Sequence, residues 1–344
     1  MSRDTVQPLN YSAHAIEDIL STSEKLKYSA PTSSKALRTL AGMIEQSIKF
    51  ILPNRCDLID PDEFKQAHYD LLRLPYPCVT FEVPWEDESD GSGWLDEVGG
   101  VQQQHATKRI ALCWEVGSGY DIDLGLGEFS NSFPQGGVFV LSVFWTQESK
   151  FWSTCHGGGF IPYGAQVRTY ESPSLSTSDK MIHQIKKDAG ILGASKKGTE
   201  GKVFIALPEL FAALSKEFGS VDRALAEVLL NTHDEAMVLI QACSVINCQN
   251  VLTEILPASV ALNKKRVSSG KQPFFSYKIL QLSGDTEKTS TSRAGAGGSH
   301  AAPRMHLRRG HLRRVSDQHS IWVRPAIINK GSIRGVVDKD YKVS

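Results

Sequence analysis

Residues 136–145 read GGVFVLSVFW, a glycine pair followed by a run dominated by β-branched and aromatic side chains. Such side chains suit the pleated surface of a strand, and the glycines mark the turn that feeds it. The stretch has companions on both sides: CVTFEV (78–83), RIALCWEV (109–116) and GGGFIPYG (157–164) are short runs of the same kind, broken by Gly and Pro. Together they predict an antiparallel or mixed sheet over about residues 77–170, with CVTFEV at its edge and an acidic loop, 86–90, after it.

Outside this region the apolar spacing changes to three and four. Leu37, Leu40, Ile44, Ile48 and Ile51 predict a helix over 33–52 behind a Ser cap, and similar patterns predict helices over 13–28 and 61–74. Residues 172–202 are polar and read as an excursion with one helix near 178–188. Helices return between 208 and 256. Pro208 stands at a first helical position, Phe218-Gly219 ends that helix, Ser220 starts the next, and Thr232-His233-Asp234-Glu235 reads as a capping box. The fold class that follows is α+β: N-terminal helices, a central mixed or antiparallel sheet, a helical segment and a C-terminal basic β-rich module. The expected divisions are a body over 1–206, a helical segment over 207–258 and a module over 259–344, the last with a flexible loop at 283–299.

A chain of 344 residues with 41% hydrophobic content has ample material for a core. It contains no run of 18 apolar residues, and its first ten residues lack a basic-then-apolar signal pattern, so a cytoplasmic protein without membrane association is expected. The six cysteines form no CxxC pair and sit in apolar segments, so free thiols are expected, with no metal and no cofactor.

The net charge of zero hides a division. Residues 261–344 hold 17 Lys and Arg against 5 Asp and Glu, and the remainder holds 21 against 33. An imbalance of this size points to a polyanion partner for the basic part, or to docking of the two parts on each other. Within the basic part, NKKRVSSGKQP (263–273) reads as a charged turn and PFFSYKILQL (273–282) as a strand. MHLRRGHLRRV (305–315) and SIWVRPAII (320–328) then flank four turn-forming residues, which predicts a hairpin, and GVVDKDYKV (335–343) reads as one more strand. Arg308, Arg309, Arg313, Arg314 and Arg324 fall on the hairpin, with Arg304 just before it and Lys264, Lys265 and Arg266 upstream. Guanidinium forks match phosphate oxygens, and several on one surface bind a polyanion through counterion release. His306 and His311 are candidates for an acid/base pair acting on a phosphodiester. Residues five apart on a regular strand face opposite sides, so the pairing needs a bulge at Gly310.

Weaker signals accompany these. Tyr120-Asp121-Ile122-Asp123 begins like a calcium loop, but Gly125 and Leu126 stand where a ligand and a glycine are required, and a solvated Gly-rich connection is the better reading. Thr154-Cys155-His156 before three glycines invites a nucleophile in an anion loop, yet neighbours on an extended chain point apart, which favours a buried cysteine entering a turn. His156 with Glu115 and Trp114 is a further candidate for lining a pocket. Cys243 and Cys248 do not share a helix face, and Phe144, Trp145, Phe151 and Trp152 at strand spacing read as core before base-stacking platform.

From Ala242 to Val343 the chain carries ordered boxes. They are Cys248-Gln249-Asn250-Val251, an LNKKR-x-x-x-G-K-x-P-x-x-x-Y block (Leu262 to Tyr277), a G-x-H-x-x-P-R-x-H-x-R-R-G-H-x-R-R box (Gly298 to Arg314) and W-V-x-P (Trp322 to Pro325). In this it resembles uncharacterised proteins carried by tailed bacteriophages and prophages, with Ser268 and Ser269 where those have a basic residue. RIALCWE near Arg109 and LPYP near Leu74 match more weakly. The resemblance implies a phage origin and no mechanism. With the charge pattern it leads to the expectation of a phage-encoded nucleic-acid-binding protein contacting RNA or non-specific DNA, since no helix-turn-helix or zinc-finger spacing is visible. The alternatives are a metal-independent nuclease using His306 and His311, and a host-takeover protein whose basic module binds an acidic host partner.

Overall fold

The computed structural model describes residues 6–59, 65–86, 106–169 and 201–282, and the shorter stretches 97–98, 101–102, 177, 180–181, 183–184, 197–199, 306–308, 311–316, 319–323 and 326–328. Helices α1 (Tyr11–Leu26) and α2 (Pro31–Gln46) lead into strands β1 (Ile48–Ile51), β2 (Cys78–Pro84), β3 (Ala106–Glu115), β4 (Gly137–Thr146), β5 (Trp152–Pro162) and β6 (Lys202–Ile205). Helices α3 (Pro208–Phe218) and α4 (Val221–Ile246), strand β7 (Val251–Leu256), helix α5 (Val260–Ser268) and strand β8 (Tyr277–Leu282) follow.

The eight strands form one sheet in the order β6-β5-β4-β3-β2-β1-β8-β7. Pairing is antiparallel from β6 to β2, parallel for β2–β1 and β1–β8, and antiparallel again for β8–β7. This is the expected α+β class with a mixed sheet. Strand alternation divides the core in two. Ile110, Leu112 and Trp114 of β3 pack with Ile16, Ile19, Leu37 and Leu40 of α1 and α2, while Ala111 and Cys113 between them pack with Val238, Leu239 and Ala242 of α4. Because both faces of the central strands are covered, β3 and β4 read as nearly unbroken apolar runs.

Several expectations are corrected. CVTFEV is not an edge: β2 lies between β3 and β1, its outer partner being a strand that the periodicity assigned to a helix. That helix stops at Gln46. Ser47 turns extended (φ −64°, ψ 156°), and Ile48–Ile51, rich in β-favouring residues, exchanges helical hydrogen bonds for a ladder with β2. Within the span expected for a third helix only Gln66–Asp70 is helical; residues 60–64 lie outside the described ones. The Thr232 box starts nothing. α4 runs through it, with the Thr232 hydroxyl donating to the Val228 carbonyl one turn back at 2.8 Å. Residues 251–256 form a strand, and the supposed charged turn is helix α5, capped by the Ser259 hydroxyl accepting from the Leu262 amide. The stop and start at Gly219 and Ser220 stand as read: Gly219 takes the left-handed conformation (φ 64°) and the Ser220 hydroxyl accepts from the Arg223 amide.

Strands β7 and β8, from residues 251–282, complete the half of the sheet begun by β1 and β2. The 283–299 loop, the 86–90 loop beyond Glu86 and the 335–343 strand lie outside the described residues, as does most of the 172–202 excursion. Among the described residues no helix is long and apolar enough to cross a membrane.

Glu209, in the first turn of α3, closes the start of α2. Its carboxylate accepts from the Thr32 and Ser33 amides, both at 2.8 Å, and from the Ser33 hydroxyl. Desolvation works against its charge, but those hydrogen bonds win and hold the carboxyl at about 2. Glu209→Ala is expected to cost about 1 kcal/mol, as loss of a helix cap does. The contribution is complete above the unfolded value and fades as pH falls from about 4.5 through 2, so urea melts at pH 7 and pH 3 should show the variant's deficit shrinking.

Candidate functional site

Strands β9 (His306–Arg308), β10 (His311–Ser316), β11 (His319–Val323) and β12 (Ala326–Ile328) form two separate antiparallel pairs, β9 with β12 and β10 with β11. The second is the expected hairpin, with Leu312 opposite Trp322 and an irregularity between Arg314 and Ser316. It is fastened to the body on the α4 side of the sheet. The Trp322 amide donates to Asn250 Oδ1 (3.0 Å), Asn250 Nδ2 donates to the Trp322 carbonyl (2.8 Å), and the indole N–H donates to the Leu58 carbonyl (3.3 Å). Leu312 and Trp322 pack against the α4-side core. Asn250 and Trp322 thus join two of the sequence boxes, 72 residues apart, by a reciprocal amide clasp. Asn250→Ala is expected to cost about 1–2 kcal/mol and to raise amide exchange in 311–323 above that of the central strands; equal protection in variant and wild type would show that the clasp does not hold the hairpin.

Arg313 and Arg314 are exposed on this anchored hairpin. His306 opens β9 opposite Ile328 and His311 opens β10 opposite Val323, so the two histidines belong to different strand pairs. Their side chains, and those of Arg304, Arg308, Arg309 and Arg324, lie outside the described ones, as does Gly310. Lys264 and Lys265 are exposed on α5. Arg266 is a brace: it donates to Glu17 of α1 (2.7 Å) and to the Gln272 carbonyl (2.6 Å) and lies 4.2 Å from the Phe274 ring centre, with its side chain 12% exposed. That ties α5 to the α1 layer, so the sheet stands between the upstream basic cluster and the hairpin.

The weaker signals resolve into packing. Asp121 is fully buried and stitches its turn, accepting from the Gly117 and Gly119 amides and the Ser130 hydroxyl at 3.1–3.2 Å. The Cys155-His156-Gly157 step lies within β5 and not at a turn. It bulges opposite Ser142, because Thr154 pairs with Val143 and Gly158 with Leu141. A Cβ at Gly157 or Gly158 would collide with the carbonyl oxygens of Phe204 and Val140, so these glycines permit close strand approach and cradle no anion. Burial pushes the Cys155 thiol up to about 11, the opposite of what a nucleophile needs. Burial also lowers His156, and Glu115 is taken by the Tyr163 hydroxyl at 2.5 Å. Cys243 and Cys248 are buried free thiols near 12. Trp152 is core, as read; Trp145 is only half-buried.

Three charged arrangements were missed in the sequence reading, because each is completed by residues far along the chain. Arg109 bridges β3 to Glu235 and Asp234 of α4 at 3.0 and 3.3 Å. Glu82, fully buried on β2, receives the amides of Tyr11 (3.0 Å) and Ser12 (2.8 Å) at the start of α1 and the Tyr277 hydroxyl (3.0 Å). On the α1 side of the sheet a polar cleft of about 330 Å³ is lined by Tyr11, His14, Asp18, Lys108, Trp145 and Lys150, among others. His14 and Asp18, four apart on α1, were visible as a pair on one helix face; their opposite wall depends on strand register. Among the described residues no cluster of three or more His, Cys, Asp or Glu is arranged to hold a metal ion. Comparison with protein-family models, with curated proteins and with solved structures finds no match for this chain.

Proposed function

We propose that this chain is a phage-encoded nucleic-acid-binding protein acting in the host cytoplasm, with the C-terminal hairpin as its contact to the phosphate backbone. The observation that carries the reading is the anchored hairpin itself. Asn250, Leu312 and Trp322 hold it to the body while Arg313 and Arg314 face solvent, within a segment of 17 basic and 5 acidic residues. A rigid mount for exposed guanidinium groups lowers the ordering cost of meeting a regular array of phosphates. The segment's sequence carries no helix-turn-helix or zinc-finger spacing for reading base edges, so the proposed binding is to backbone, on RNA or on DNA of any sequence.

Gel shifts of duplex DNA and of RNA across a salt series test this. Every phosphate that a cation neutralises adds about 0.9 to the slope of log affinity against log salt on duplex DNA, so Arg313→Glu with Arg314→Glu should flatten the slope by about 2 and weaken binding throughout. Absence of a complex at low salt, or an affinity indifferent to the charge reversal, overturns the reading. Cleavage on the same gels with chelator present, lost in His306→Ala or His311→Ala, would make the protein a phosphodiester enzyme as well.

A further inference from the structure

The cleft between α1 and the ends of β3, β4 and β5 has the makings of a ligand site that owes nothing to the hairpin. Register builds its floor. Lys108 of β3 is directly opposite Trp145 of β4, and Trp145 is directly opposite Trp152 of β5, so one row across three strands carries a cation and two indoles. The Lys108 ammonium lies 4.1 Å from the Trp145 ring centre and 6.0 Å from that of Tyr11, and the Tyr11 and Trp152 rings are 5.4 Å apart. Lys150, exposed at the tip of the β4–β5 turn, adds a second ammonium group to the rim. Among the described residues no carboxylate pairs with either lysine.

The acidic wall is unequally committed. Glu17 is held by Arg266 and by the Gln272 amide. Among the described residues Asp18 takes one hydrogen bond, at Oδ2 from the Trp152 amide at 2.9 Å, which leaves Oδ1 for a donor. His14 stands edge-on to Phe274, and burial together with Arg266 lowers its pKa, so near neutral pH it offers one N–H donor and one acceptor nitrogen. With Glu17 matched by Arg266, the charges left unmatched among the described residues are two cations and one carboxylate beside an indole face.

We propose that this cleft binds a single nucleotide, its base against the Trp145 indole, its phosphate between Lys108 and Lys150, and a base N–H on Asp18 Oδ1. An uncharged sugar leaves both lysines idle, and a cationic ligand meets them as like charge. A planar group that joins an anion to an N–H donor uses both lysines, the indole face and the open carboxylate oxygen. The Lys108 ammonium now covers the indole. A half-exposed cation–π contact is weak, and a charge-assisted pair with phosphate is the stronger alternative, so the flexible lysine swings to the phosphate and the ring face is released to the base. The ligand is either a free mononucleotide or the 5′-phosphorylated end of a strand, which present the same chemistry.

Calorimetry on the full chain with the four nucleoside monophosphates, adenosine and inorganic phosphate tests the site. At least one monophosphate is expected to bind and to quench tryptophan fluorescence, with adenosine and phosphate at least about tenfold weaker. Lys108→Gln and Lys150→Gln should each weaken the monophosphate about tenfold with circular dichroism unchanged, neither lysine having a carboxylate partner among the described residues. No binding of any monophosphate at about 1 mM, phosphate alone binding as tightly, or affinity indifferent to both lysine variants overturns the proposal. Competition by a 5′-phosphorylated tetranucleotide assigns the site to strand ends, and failure to compete assigns it to free nucleotides. The Arg313/Arg314 variant should bind the monophosphate normally, so failure of the hairpin reading and failure of this one are separate results.

Discussion

Arg109→Met is expected to lower folding stability by about 3–5 kcal/mol, the typical cost of leaving one partner of a buried ion pair alone. Glu235 is 1% exposed and Arg109 13%, so the pair exchanges little with water. The Arg109 guanidinium also lies 4.7 Å from the Trp85 ring centre, which closes the site from the third side. Burial works to depress the Arg109 pKa, and Glu235 and Asp234 more than offset it; burial raises the Glu235 pKa while Arg109 opposes the rise. Without the arginine that opposition is gone, and Glu235 must take up a proton or pull α4 away from β3. A carboxyl raised above its unfolded value favours the fold most below about pH 4.5 and loses that contribution as pH rises through the folded value. The variant's deficit in urea melts should therefore be larger at pH 8 than at pH 5. Arg109→Met with Glu235→Met should recover most of the loss, because an apolar pair of similar volume fills the same space without a stranded charge. A single variant costing under about 1 kcal/mol, or a double variant no better than the single, would show that the pair does not brace the sheet against α4.

Glu82→Ala should cost about 3 kcal/mol or more. Its two oxygens receive the first amides of α1 and the Tyr277 hydroxyl in a fully buried setting, and each donor stranded there costs about 1–3 kcal/mol. The carboxylate thereby joins three distant pieces of chain, and it sits where the positive end of the α1 dipole favours an anion. Burial still raises its pKa, against the pull of the Ser12, Tyr11 and Tyr277 hydrogen bonds. The nearby buried Lys49 is drawn down to about 8 by the same dry surroundings, with Glu82 acting the other way. Tyr277→Phe removes one donor and leaves both amides satisfied, so a loss of about 1–2 kcal/mol is expected. Hydrogen exchange gives the local readout: Glu82→Ala should expose the first turn of α1 selectively, whereas Tyr277→Phe should not. Equal losses in the two variants would mean that the helix start has found another acceptor.

What was legible in the sequence was local. The strands around 136–145 announce themselves because β-branched and aromatic side chains crowd into short apolar runs punctuated by glycine, and Gly219-Ser220 states a helix stop and start through φ and an oxygen. The C-terminal hairpin was readable for the same reason, two β-capable runs about a short turn. Illegible were features whose cause lies far along the chain. Ile48 and Ile51 continue the helical spacing of α2, and it is the parallel partners, Val79–Glu82 on one side and β8 on the other, that make their segment a strand. Thr232 and Glu235 spell a capping box, but Thr232 back-bonds within a continuing helix and Glu235 answers Arg109, 126 residues earlier. The cleft is the extreme case: Asp18, Lys108 and Trp145 meet through register and layer packing, neither of which leaves a mark at any one of them.

The place of β8 has a consequence for how the protein comes into being. β1 is complete when residue 51 is made, but its second neighbour, Tyr277–Leu282, leaves the ribosome more than 220 residues later. At about 5–20 residues per second, the growing chain carries β1 with one side unpaired for roughly 10–45 s. An open strand edge invites foreign strands. Chains released before residue 282 should therefore aggregate, while the finished chain closes this edge by threading a late strand beside an early one.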